Sequence, residues 1–290
     1  MDDLIVVIQL IINGLQIGLL YALIAIGLTL IWGVMDIINF AHGEFLVIAM
    51  YIGYGTYAFW GICPILSLPA ALLILGILGW LVYRFAIARV LKSENLLSQI
   101  VVTFGVSVFL QNLLLFLFSG DYRSIASDPW IKGNVTVNQL NMNIPELVIS
   151  ILSLLVILVI HLFINKTKTG KAILATALDR ETAQLMGINT DRMNQLTFVL
   201  GIACLSISGI LLPITTHVSP YSGFLFAVLA FTIVALGGFG SVLGTIIAGI
   251  IIGEVQSFGG FLVEPSYKYL CVFLLYLFVL VIRPRGLFGW

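Results

Sequence analysis

Charge is what this sequence has least of. Of its 290 residues only 9% are Asp, Glu, Lys or Arg, while 61% are hydrophobic and the mean hydropathy is +1.16. A soluble domain carries about 25% charged residues, and no soluble core in so short a chain uses this much apolar surface. The chain therefore reads as a polytopic membrane protein. Its uncharged runs reach or approach the ~20 residues that cross a bilayer as a helix, so the spanning elements are helices and not barrel strands. The expected fold class is an all-α polytopic membrane helix bundle.

Other absences narrow the function. The net charge is zero and no segment is strongly basic, which leaves nucleic acid without an electrostatic attraction. Cys63, Cys204 and Cys271 are odd in number, widely spaced and within or beside apolar runs, so neither a disulfide framework nor a metal cluster is expected. There is no H-E-x-x-H, and His161 and His217 have no nearby carboxylate in sequence. An intramembrane hydrolase built on His42 and Glu44 thus lacks partners. Thr169-Gly170-Lys171 lacks the upstream glycine of a phosphate-binding loop. The chain is expected to be no enzyme and to bind no cofactor or metal itself. It begins Met1-Asp2-Asp3 without a basic n-region, so the first helix is expected to stay as an anchor.

Apolar runs occur at 4–34, 37–60, 64–83, 96–118, 144–164, 195–216, 223–237, 241–257 and 267–282. These predict eight or nine spans, with glycine-rich broken helices in both halves. No linker or low-complexity segment divides the chain, so residues 1–290 form one membrane domain. Basic residues stay on the cytoplasmic side, which puts three groups there: Arg84, Arg89 and Lys92; Lys166, Lys168, Lys171, Arg180 and Arg192; and Arg283 and Arg285. The balanced polar segment from Ser119 to Asn143 then faces outward, with Asp2 and Asp3, and the C-terminus faces the cytoplasm.

Three constellations stand out. The first is MDIINFAHGEF, Met35 to Phe45, with ionisable groups between two apolar runs. Treated as helix at 100° per residue, it puts Asp36, Asn39, Phe40, Gly43 and Glu44 on one broad face and His42 nearer the other. Ionisable groups at membrane depth usually face a bundle interior or a water-filled cavity. A polar turn at the membrane surface is the plainer reading, and it explains Asp36 tolerably.

The second constellation is Gly237, Gly238, Gly240, Ser241 and Gly244. Each glycine costs a helix about 1 kcal/mol, so this density predicts a broken helix lining a cavity. Gly249 and Gly253, four apart, suit close helix packing. Gly27 to Gly43 and Gly237 to Gly253 are both glycine-rich interruptions, and such pairs point to a transport path.

The third is the loop 165–192. Asp179 is a plausible N-cap, Arg180 to Met186 make about two turns, Gly187 suits the C′ position, and Thr190-Asp191 can start the next helix. One short helix is expected across this loop.

Glu181 to Gly187, reading ETAQLMG, resembles the E-A-A-x-x-x-G signature by which ABC importer membrane subunits dock on their ATPases, and departs from it at Thr182. The blocks GLTLIWGVMDIINFAHGEF, GINTDRMNQLTFVLGIACLSISGIL, ALGGFGSVLGTIIAGIIIGEVQSFGG and RPRGLFG resemble, in the same order, the LivH-type permease of branched-chain amino acid ABC importers. That resemblance implies an importer fed by a substrate-binding protein. A second, LivM-type permease would complete the pore, and two LivG- and LivF-type ATPases would use the ATP. Asp179, Glu181, Ala183, Leu185 and Gly187 would couple to an ATPase; Asn39, Phe40, His42, Gly43 and Glu44, with Gly237 to Gly244, would line the path. The location implied is a bacterial or archaeal cytoplasmic membrane. A permease for urea or short amides is the alternative within the family. A passive channel would need no coupling loop, and an ion-coupled carrier would want charge in the interval between Arg192 and Glu254, which has none.

Overall fold

The computed structural model describes residues 2–91, 95–125, 133–137 and 140–288; Lys92 and part of the 119–143 segment expected to face outward lie outside the described residues. The chain is a helix bundle. Its helices are α1 (Asp2–Met35), α2 (His42–Trp60), α3 (Leu68–Val82), the three-residue α4 (Ala88–Val90) reached through a π-turn at Tyr83–Ile87, α5 (Leu96–Phe118), α6 (Ile144–Lys166), α7 (Lys168–Leu178), α8 (Arg180–Leu185), α9 (Thr190–Leu211), α10 (Ser222–Gly237), α11 (Val242–Leu262) and α12 (Lys268–Ile282). A four-residue antiparallel hairpin, β1 (Asn134–Val137) and β2 (Leu140–Asn143), pairs Asn134 with Asn143 and Val137 with Leu140.

Among the described residues seven helices are long and apolar enough to cross a membrane: Leu4–Met35, Pro64–Val90, Leu96–Phe118, Ile144–Lys166, Thr190–Ile214, Val242–Leu262 and Pro265–Ile282. α1 and α9 are the buried axis, whereas α5, α6 and α12 turn rows of Leu, Val and Phe outward. Outward apolar rows are what lipid requires, because lipid tails impose no cost on them.

Glycine lets the central helices touch backbone to backbone. Down the α1–α11 seam, Gly14 and Gly18 meet Gly253, Gly18 meets Ile250, Ala22 meets Gly249 and Gly33 meets Gly240. Thr29 and Thr245 share a hydroxyl contact of 2.6 Å on the same seam. The numbers rise on one helix as they fall on the other, so α1 and α11 are antiparallel. On the opposite side α9 lies against α3, with Gly79 on Ile202 and the Ser206 hydroxyl donating to the Ala71 carbonyl, again antiparallel.

These contacts define an inverted repeat. α1 crosses α9 where Gly27 meets Gly201, and α2 starts beside α10 where Gly43 meets Gly223. Exchanging α1 with α9, α2 with α10 and α3 with α11 carries the α1–α11 packing onto α9–α3, α1–α10 onto α9–α2 and α10–α11 onto α2–α3. The paired helices run in opposite directions, the arrangement of transporter repeats related by an axis in the membrane plane. α6, α7 and α8 connect the halves.

Three expectations change. The partner of the Gly27–Gly43 interruption is the stretch from Gly201 to Gly223, not Gly237 to Gly253; the latter glycines instead close the α10–α11 turn and the α1–α11 seam. The run 37–60 is helical only from His42, because apolar composition does not separate a buried extended segment from a buried helix. The loop 165–192 holds two helices where one was expected, since α7 precedes α8.

Candidate functional site

α1 ends at Met35, and Asp36 takes a positive φ of 53° while its N–H donates to the Trp32 carbonyl at 2.8 Å. That is a helix-ending conformation which Asp tolerates better than most residues. Asp36 is exposed; it closes a helix and stands outside the buried cluster. The segment up to Ala41 is not helical, so the single helical face drawn for residues 36–44 does not exist.

The segment turns back into the bundle. His42, the first residue of α2, reaches Ile24, eleven residues before the end of α1, or about 16 Å along the helix. Its Nε2–H donates to the Ile24 carbonyl at 2.9 Å. The extended backbone is held by Thr103 of α5, whose hydroxyl donates to the Ile38 carbonyl at 2.8 Å. Non-helical backbone at membrane depth needs such protein partners, because lipid offers none.

Around this start the polar side chains are sealed in. Asn39, His42 and Glu44 are 1%, 0% and 3% exposed. Both amide atoms of Asn39, Nδ1 of His42 and Oε2 of Glu44 have no hydrogen-bond partner. Phe40 lies between Phe104 (6.2 Å between centroids, edge-on) and Phe231 (5.5 Å). A Cβ on Gly43 would overlap the Gly223 carbonyl and sit 3.0 Å from Ala227 Cβ, and one on Gly223 would fall within 2.9 Å of the Glu44 carboxylate. Two helix N-termini from opposite halves therefore meet at a carboxylate. Their free N–H groups and positive dipole ends favour negative charge there.

The second glycine group lies elsewhere. α10 ends at Gly237, Gly238 and Gly240 take φ of 100° and 78°, and Ser241 caps α11 by accepting from the Gly244 N–H at 3.1 Å. Gly240 faces Gly33 and Phe239 stacks on Trp32 at 4.4 Å. The turn thus sits at the end of α1, nine residues from Ile24, roughly 14 Å away. The C-terminal segment covers it, with Leu287 and Phe288 donating to the carbonyls of Leu236 and Gly237. The structure brings Asn39 to Glu44 together and keeps Gly237 to Gly244 apart from them.

Gly223 and Gly201 are the members that the sequence reading passed over. A signal existed: Asn39-x-x-His42-Gly43 recurs 180 residues on as Ser219-x-x-Ser222-Gly223, polar residues at the same offsets before a glycine.

Beside the start of α9, α8 is capped at both ends. Asp179 Oδ1 accepts from the N–H groups of Glu181 (3.0 Å) and Thr182 (3.1 Å), and Oδ2 accepts from the Thr182 hydroxyl at 2.5 Å. The bonds from Thr182 hold this carboxyl below the usual carboxylate range. Gly187, at φ 82°, donates to Gln184 while Ile188 donates to Ala183, which is the Schellman pattern. Arg180 to Asp191 at 3.0 Å and Gln184 to Thr190 at 2.8 Å tie α8 to the start of α9. Ala183 is buried, Glu181 is exposed, and Leu178, Leu185 and Met186 stand 88%, 87% and 79% exposed. Leu178 ends α7, Leu185 ends α8 and Met186 follows it.

Apolar helices in inverted halves, re-entrant starts and a sealed polar cluster where they meet define a multi-pass membrane permease. The chain belongs to the family of branched-chain amino acid transport system permease components, whose model matches residues 10–280. It is 36% identical to the high-affinity branched-chain amino acid transport permease LivH of Salmonella typhimurium, over 96% of this chain and 94% of that one. It is 33% identical to BraD of Pseudomonas aeruginosa, similarly described, over 97% and 95%. A weaker likeness, 27% identity over 84% of this chain and 69% of the other, links it to the fructose import permease FrcC of Rhizobium meliloti. Among solved structures, PsaBC from Streptococcus pneumoniae in complex with Fab shares the fold, with a TM-score of 0.53 at 14% identity over 94% of this chain and 91% of that one.

Proposed function

We propose that this chain is the membrane-spanning subunit of an ATP-driven ABC importer carrying branched-chain, hydrophobic amino acids across a bacterial or archaeal cytoplasmic membrane. The names of LivH and BraD support the substrate class. The observation that carries the path is the sealed cluster of Asn39, His42 and Glu44, whose unpartnered atoms want a polar guest. A buried polar atom without a partner costs about 1–3 kcal/mol, and the membrane interior tolerates it chiefly where substrate passes. Phe40 and Gly43 complete that wall, and the Gly237, Gly238, Gly240, Ser241 and Gly244 turn forms the inner mouth. Counting α2 and α10 with the seven long helices gives nine spans and a cytoplasmic C-terminus.

In this reading ATP is used by two LivG/LivF-type ATPases, one of which grips α8. Asp179 and Gly187 keep α8 rigid, Ala183 seats it, and Glu181 with Leu185 meets the ATPase. Force on α8 reaches α9 through Arg180–Asp191. Tilting α9 loosens the Gly27–Gly201 crossing and the Gly43–Gly223 seam, which opens the cluster in turn to each side. A LivM-type permease supplies the other wall of the pore, and a binding protein delivers substrate.

Uptake of labelled leucine and labelled urea by the reconstituted complex tests this. ATP-dependent leucine uptake that E181K abolishes, with the protein still in the membrane, is the expected result. Uptake of urea alone would replace the substrate, and ATP-independent flux would replace the importer with a channel.

A further inference from the structure

A polar cavity of about 180 Å³ opens between α1, α6, α11 and α12. Gln16 belongs to it and lies eight residues before Ile24, about 12 Å up α1, on the side away from Gly33. The volume far exceeds the ~10–15 Å³ that admits one water. Its polar walls include Gln16, Tyr21, Glu146, Gln256, Lys268 and Tyr269, with the Thr215 and Thr216 hydroxyls already spent on the Leu212 carbonyl. Gln16 and Gln256 are 7% and 5% exposed, and the Oε1 of each has no partner. Tyr21, 6% exposed, lies within hydrogen-bonding reach of the Gln256 and Tyr269 side chains. Lys268 Nζ stands 5.1 Å from the centre of the Tyr269 ring. Glu146 and Lys268 share the cavity, yet no ion pair of 4 Å or less joins them; the described ion pair is Arg180–Asp191.

The donor and acceptor count says what is missing. The residues lining the cavity carry two buried, unpartnered amide oxygens and a carboxylate as acceptors, and these call for a group with several N–H donors. The Lys268 ammonium of the same lining calls for an anion. An apolar chain meets neither demand, whereas water molecules or one ligand carrying both signs meet both. An opposite pair of charges held apart in one semi-enclosed cavity is complementary to a ligand that carries both signs.

We infer that this cavity, walled by Gln16, Glu146, Gln256 and Lys268, binds a small zwitterion: its ammonium is held by Glu146 and the two glutamine oxygens, and its anion by Lys268. Two sources share that chemistry, a free α-amino acid and the headgroup of phosphatidylethanolamine. The site stands apart from the Asn39–Glu44 cluster and does not depend on the transport reading.

The test uses the full chain in nanodiscs of phosphatidylcholine, with and without added phosphatidylethanolamine, followed by native mass spectrometry and by binding of labelled leucine. The wild-type chain should retain one phosphatidylethanolamine or bind leucine. E146Q and K268M should each weaken that ligand by roughly tenfold, and E146D should restore much of it. Retention of lipid that leucine does not displace assigns the headgroup; leucine binding without added lipid assigns the amino acid. Should E146Q fail to fold, Q16L with Q256L, which removes the two acceptors and keeps volume, must produce the same loss. Wild-type protein that retains neither ligand, or folded variants that bind as wild type does, overturns the inference.

Discussion

Between Met35 and His42 the chain leaves one long helix and re-enters the bundle to begin another, and between Leu211 and Ser222 it repeats the move in the opposite direction. The two starts touch at Gly43 and Gly223. Their chemistry differs. In the second break Ser219 and Ser222 satisfy each other, with hydroxyls 3.1 Å apart and the Ser219 N–H donating to Ser222 Oγ at 3.2 Å. Its backbone is pinned to the segment after α5 through Arg123–Val218 and Ile125–Pro213. In the first break Asn39, His42 and Glu44 bury atoms that nothing satisfies. A repeated frame thus carries one half for structure and one for chemistry, and stability is given up where function is expected.

The largest expected effect lies at the seam itself. G43A puts a methyl into the Gly223 carbonyl and the Ala227 side chain, so it should cost about 1–3 kcal/mol or more and abolish transport. Folded yield and thermal unfolding read it. N39L separates the halves more sharply: removing an unsatisfied buried amide should stabilise the protein by about 1–3 kcal/mol while ending uptake. A variant that is both less stable and inactive would make Asn39 a structural residue. S219A touches only the satisfied break and should cost about 0.5–1.5 kcal/mol with uptake near wild type.

The smallest expected effect lies outside the repeat. Asp179 has its carboxyl lowered by the bonds from Thr182. A depressed folded-state value means that its contribution is complete above the ordinary carboxylate range and lost as pH falls through the folded value. Protection of the Glu181 and Thr182 amides, taken relative to their intrinsic exchange rate at each pH, should therefore be high at neutral pH and fall on acidification below that range. D179A should show the low protection at every pH.

What the sequence disclosed follows the range of the forces involved. The α8 caps were legible because Asp179 and Gly187 act within their own turn, and both take the predicted roles. The bundle was legible from composition alone. α7 was passed over because Lys166, Lys168 and Lys171 made its first turn read as a solvated loop, although Gly170, Ile173 and Thr176 form a buried stripe. The pairing of Gly43 with Gly223 needs knowledge of where two distant helices begin, and no local rule supplies it. The glycines at 237–244 drew attention by density, yet they serve a tight turn, while the sparser Gly201 and Gly223 hold the crossing.

The account rests on the first break opening to water during transport. N39C in a background lacking Cys63, Cys204 and Cys271, assembled with its partner subunits and treated from the aqueous phase with a small polar thiol reagent, tests this most directly. The account predicts little labelling at rest, strong labelling during ATP turnover, and protection by leucine. A thiol that stays unreactive in every state, while uptake continues, would contradict it.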